Sequence, residues 1–99
     1  MTRYAVPCYM KTAAFPGEKK FFVKKYNERK SYIGITCSLY CWDSEWKPFT
    51  ATKKKISGFV LVKIIRHDLP MSYVSLPNGA AVWVESETIT EVPNGVVVP

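Results

Sequence analysis

Two short runs, Tyr73–Leu76 and Ala80–Glu85, flank the triplet Pro77-Asn78-Gly79. Both are rich in the β-branched and aromatic residues that favour strands. Asparagine and glycine tolerate the positive φ that a tight turn demands, so the stretch predicts a β-hairpin. The same triplet returns at Pro93-Asn94-Gly95, which reads as a second turn and not as a repeat. A chain punctuated this way is constrained to short antiparallel strands.

The rest of the 99 residues conforms. Tyr4–Met10 predicts a first strand, with Pro7 making it an edge or a bulge. Ala13–Glu18 contains Pro16-Gly17 and reads as a turn. Lys19–Tyr26 follows as a strand with lysines on both faces. Tyr32–Trp42 shows the best alternation, with Ile33, Ile35, Cys37, Leu39 and Cys41 on one side. Asp43–Glu45 would turn a hairpin into Lys47–Thr52, although Asp43–Ile56 could instead hold a short helix interrupted by Pro48. Phe59–Arg66 is apolar on both faces and predicts a central strand. Ser86-Glu87 reads as a tight or 3₁₀ turn, and Thr88–Val92 as a last strand. Val96–Val98 is a frayed end or one more strand, and as a strand it could offer an edge for self-assembly. Sustained helical periodicity is absent. The fold class expected is all-β, a small barrel or compact sandwich in a single domain over 1–99.

The segment Tyr73–Val92, with its strand, Pro-Asn-Gly turn, Val82-Trp83-Val84 strand, short turn at Glu85-Ser86-Glu87 and final strand, resembles the SH3-like barrels of the KOW and Tudor layout. The resemblance implies barrel strands over 59–92, Phe59–Val62 supplying an early one, with 1–58 as a basic, aromatic-rich β elaboration. It also implies a binding module for nucleic acid, ribosomal surfaces or short peptides.

Charge narrows the partner. Residues 1–66 hold all 14 basic side chains and four acids, whereas 67–99 hold four acids and no base, for an overall +6. Such asymmetry predicts one strongly basic surface, suited to phosphate or to an acidic protein; a merely solvated face is the alternative. Lys19, Lys20, Lys24, Lys25, Arg29 and Lys30 interleave with Phe21, Phe22 and Tyr26, and Lys53, Lys54 and Lys55 add a second cluster. Arg3 and Lys11 flank the first strand. Opposite Ile33 and Ile35, the residues Tyr32, Tyr40 and Trp42 form either an exposed platform for base stacking or part of a second core. Lysine outnumbers arginine 11 to 3, which favours backbone or shape recognition over bidentate reading of guanine.

The expected function is therefore non-enzymatic nucleic-acid binding through these twelve lysine, arginine and aromatic residues. The alternative is a protein-interaction module or inhibitor, of the kind phages and mobile elements encode, docking on an acidic host protein. No catalytic, metal or cofactor site is expected. His67 is the sole histidine, and its neighbour Asp68 would point to the opposite strand face. Cys37 and Cys41 on one strand would lie about 13 Å apart at ~3.3 Å per residue, too far for a shared metal or a disulfide. Three cysteines and no apolar leader suit a reduced, cytoplasmic protein, and no apolar run approaches the roughly 20 residues of a membrane helix.

Overall fold

The computed structural model describes residues 2–12, 19–26, 32–42, 45–48 and 58–96. They form nine strands: β1 (Arg3–Thr12), β2 (Lys19–Lys24), β3 (Tyr32–Ile35), β4 (Leu39–Trp42), β5 (Glu45–Pro48), β6 (Gly58–Asp68), β7 (Met71–Ser75), β8 (Ala81–Glu85) and β9 (Thr90–Val92). A 3₁₀ turn at Ser86–Thr88 separates β8 from β9. Every pairing is antiparallel, and the sheet curls into a half barrel ordered β3-β2-β1-β6-β4-β5, with β7 and β8 continuing from β6 and β9 lying on β1. The domain is all-β, as the alternation predicts.

β1 joins the N-terminal strands to the C-terminal ones. Tyr4–Cys8 pair with Val62–Gly58 of β6. Along its other side, Arg3–Ala5 meet β9 and Tyr9–Thr12 meet β2. Pro7 falls between those two stretches, opposite Phe59. The Phe59 carbonyl accepts from Ser38 N at 2.9 Å on the β4 side, so Pro7 directs its backbone away from β6 into the gap between β9 and β2. Its missing N–H thus forfeits no ladder bond, which is the local edge the sequence requires.

The hairpin at Pro77-Asn78-Gly79 forms with a three-residue loop. Gly79 N donates to Leu76 O at 3.1 Å, Leu76 N donates to Ala80 O at 2.8 Å, and Gly79 takes φ +88°. A turn followed by a left-handed residue is a common way to close strands that twist to the right. Asn78 Oδ1 accepts from Ala80 N at 3.0 Å, which fixes the loop from within. The second triplet makes a different turn, in which Val96 N reaches Pro93 O at 3.5 Å. Arg3 holds that turn, donating to Val96 O at 2.6 Å and Pro93 O at 3.0 Å. This arginine braces the last turn.

Three expectations need correction. Tyr32–Trp42 is two strands, because the chain leaves the sheet at Thr36–Ser38 and crosses from β2 to β6. The alternation survives the break, since Cys37 and Leu39 are buried while Gly34 and Thr36 are exposed. What interrupts the strand is Cys37, which plunges into the core. Second, the hairpin expected after Trp42 forms, but its return strand starts at Glu45 and not at Lys47, and Glu45–Pro48 is not part of the alternative helix. Third, β6 is buried only in its first half. A bulge between Ile64 and Arg66 lets Ile64 face inward and leaves Ile65 54% exposed. The expected turn at 13–18, the remainder of 43–56 and Val97-Val98 lie outside the described residues.

Two clusters make the core. The larger unites Val6, Cys8, Val23, Cys37, Val60, Val74, Leu76, Val82 and Val84, and the smaller unites Ala5, Leu39 and Val92. Most are β-branched, which suits a pleated surface. Trp46 lies against Phe59, ring centroids 4.8 Å apart, at the edge of the smaller cluster.

Candidate functional site

Seven of the twelve expected contact residues are described, and they fall on several elements. Lys19 and Lys20 open β2 opposite Thr12 and Lys11. Lys24 ends β2, exposed, opposite Tyr32 on β3. Lys25 follows, half-buried. Tyr40 and Trp42 stand on β4, opposite Lys47 and Glu45 of β5. Tyr32 is therefore on a strand bonded to β2, and Tyr40 and Trp42 are on one bonded to β5 and β6. One ladder does not carry all three. Arg29, Lys30, Lys53, Lys54 and Lys55 lie outside the described residues.

A different set converges on the outer face of β6, β7 and β8. On β7, Ser72 and Val74 are buried, so Met71, Tyr73 and Ser75 face out. On β8, Val82 and Val84 are buried, so Trp83 and Glu85 face out. The registers align these residues in rows across the strands. Lys63 meets Ser75 and Ala81, Arg66 meets Tyr73 and Trp83, and Asp68 meets Met71 and Glu85. The face grades from a cation, through an aromatic row beside a second cation, to two acids.

The aromatic row has a physical origin. Trp83 turns its carbonyl away from β7 and accepts from Tyr26 N at 2.8 Å. Tyr73 and Trp83 are thus a non-hydrogen-bonded pair, the kind whose side chains approach nearest. Their rings stand 5.0 Å apart at 41°. The same bond brings the end of β2 to the free side of β8. Lys25, Tyr26, Met71, Tyr73 and Trp83 together line an open groove of about 500 Å³. Arg66 is well exposed, with Asp68 at 4.0 Å. A planar ligand could lie on such rings while anionic groups reach Arg66, Lys63 or Lys25.

Of the residues on this face, the sequence reading named Lys25 and the neighbouring Tyr26, whereas Lys63, Arg66, Tyr73 and Trp83 were not among the expected contacts. The signal was present: an aromatic flanked by two inward valines on a strand, as in Val82-Trp83-Val84, must project outward.

His67 and Asp68 do point to opposite faces. His67 Nδ1 lies 2.8 Å from the Ser72 hydroxyl, which lies 2.6 Å from the Ser86 hydroxyl, while Asp68 approaches Arg66. Ser72 is fully buried, and this chain ties the β6–β7 hairpin to the 3₁₀ turn. Cys8 and Cys37 are neighbours in the larger cluster, and the hydrogen bond to Cys37, followed by burial, holds the Cys8 thiol far above its ordinary pKa. Among the described residues, no group of three or more His, Cys, Asp or Glu side chains could hold a metal ion, and no helix is long and apolar enough to cross a membrane.

Fold and face together define a small all-β domain on a curled antiparallel sheet. Comparison of the chain with protein-family models, with curated proteins and with solved structures finds no match.

Proposed function

We propose that the protein is a nucleic-acid-binding module that takes a single strand on the outer face of β6, β7 and β8. The observation that carries this reading is the row Arg66–Tyr73–Trp83, extended by Tyr26 along the groove. Bases would stack on the rings, an interaction of ~1–3 kcal/mol per base. Phosphates would be neutralised by Arg66, Lys63 and Lys25, with Lys24 beside the groove. Asp68 and Glu85 at the far end would repel the backbone and set the direction in which the strand lies. A rigid duplex hides its base faces, so the rings favour a single strand. The strand order also supports an SH3-like arrangement: β1, β6, β7, β8, a 3₁₀ turn and β9 returning to β1. In that reading β2 to β5 are inserted between the first two barrel strands.

Fluorescence anisotropy with short single- and double-stranded DNA and RNA across a salt series tests the proposal. Expected are single-strand preference, affinity that falls steeply with salt, and loss of binding in Arg66→Ala and Trp83→Ala. No binding at low salt, or binding indifferent to both substitutions, would refute it and turn attention to an acidic protein partner.

A further inference from the structure

We propose that Cys8 and Cys37 are a preformed disulfide site in the core, which closes when the protein meets a disulfide oxidant. The geometry rests on Gly58. The β1–β6 register sets Cys8 directly opposite Gly58. Side chains of directly opposed residues share a face, with Cβ atoms about 4.5–5.5 Å apart. Gly58 has no side chain, and Cys37 fills the space: a Cβ on Gly58 would lie 2.6 Å from Cys37 Sγ and 3.1 Å from Cys37 Cβ. Cys37 therefore stands where the cross-strand partner of Cys8 would stand. The separation that opposed Cβ atoms keep is close to the roughly 3.5–4.5 Å that a disulfide spans. Both residues belong to one buried cluster, exposed by only 5% and 6%. Cys41 is elsewhere, half-buried on β4 and opposite Trp46.

The chemistry balances with oxidised glutathione as the oxidant. The thiolate of one cysteine attacks the glutathione disulfide, forming a mixed disulfide and releasing one glutathione thiolate, which takes up the proton. The second cysteine, deprotonated in turn, attacks the protein sulfur of that mixed disulfide. The Cys8–Cys37 bond forms and the second glutathione leaves as thiol. The protein dithiol loses two electrons, and the glutathione disulfide gains them. Burial and the thiol–thiol hydrogen bond disfavour the attacking thiolate, so closure proceeds through opening of the sheet around Cys37 and is faster during refolding than in the native state. The cross-link would tie β1 to the crossing segment Thr36–Ser38 and close a loop containing β2 and β3. It lies in the core and leaves the outer face of β6, β7 and β8 unchanged, so it stands apart from the binding proposal.

The test uses the full chain, refolded from urea in oxidised glutathione, alkylated, digested and mapped by mass spectrometry. Expected is a Cys8–Cys37 linked peptide as the dominant disulfide, formed equally in Cys41→Ser. Expected too is a higher urea midpoint that reductant reverses. Chance pairing in an unfolded chain favours Cys37 with Cys41, which are four positions apart. Dominance of that pair, alkylation of both Cys8 and Cys37 after oxidative refolding, or a linked form with an unchanged or lower midpoint would overturn the proposal.

Discussion

Gly58→Ala offers a sharp test of the packing around the crossing segment. Glycine inside a strand is ordinarily a liability, and alanine there should gain ~0.5–1 kcal/mol. Here the new methyl would meet Cys37 Sγ at 2.6 Å, Cys37 Cβ at 3.1 Å and Phe21 Cε1 at 3.4 Å. Sγ sits on a short side chain inside a packed cluster, so it has little room to retreat. Overpacking of this kind costs ~1–3 kcal/mol, which outweighs the gain. The net expectation is a loss of ~1–2 kcal/mol, or a fall in Tm of about 4–15 °C for a domain this small. Urea unfolding followed by tryptophan fluorescence reads it, since Trp46 packs on Phe59 beside Gly58. The cycle with Cys37→Ala separates the clash from any backbone effect. Removing Sγ erases the shortest contact, so Gly58→Ala should become neutral or stabilising in that background. The coupling would be ~1–3 kcal/mol, as expected for residues in contact. Additive effects, or a harmless Gly58→Ala in the parent chain, would refute the placement of Cys37.

Three further outcomes are expected. Folding holds the Cys8 thiol protonated above its reference value of 9.0, so stability is intact below pH 9 and declines above it as the unfolded thiol ionises. Urea titrations at neutral and alkaline pH check this, and Cys8→Val should flatten the decline. Ser72→Ala breaks the chain between His67 and Ser86 at a fully buried position, at an expected cost of ~1–2 kcal/mol by thermal unfolding; an unchanged Tm would show that the hydroxyls do not staple the hairpin. Gly79→Ala places a side chain at φ +88° in open space, so its cost of ~1–2 kcal/mol is purely conformational, and Gly79→Asn should recover part of it.

The parts of this fold that the sequence makes legible are those set by neighbouring residues. The β7–β8 hairpin, the 3₁₀ turn and β9 follow from strand-favouring residues and turn chemistry within a few positions. The break in Tyr32–Trp42 does not, because its cause is remote. Cys37 can enter the core only where β6 offers a residue without a side chain, and that residue is Gly58. The alternation of burial continues through the break, since each inward residue keeps an apolar partner while the backbone changes neighbours. Period therefore predicted which of residues 34–39 are buried and said nothing about continuity, or that Cys37 joins the larger cluster and Leu39 the smaller.

The candidate face was legible in part, by an argument that needs two steps. The three-residue loop pairs Leu76 with Ala80, and counting back from it sets Tyr73 against Trp83. Inward valines on either side of Trp83 then send both rings outward. Lysine runs are conspicuous in a sequence, whereas a cross-strand pair becomes visible only once the register is counted. Charge density is also a poor guide to use, because a basic side chain is defined by the acceptors beside it. Arg3 spends its guanidinium on Val96 and Pro93 carbonyls within 3.0 Å, which turns a cation of the basic half into a brace for the last turn. Arg66 has an exposed carboxylate at 4.0 Å, a contact too long and too wet to hold it. Of these two arginines, it is Arg66, beside Tyr73 and Trp83, whose charge remains available to a ligand.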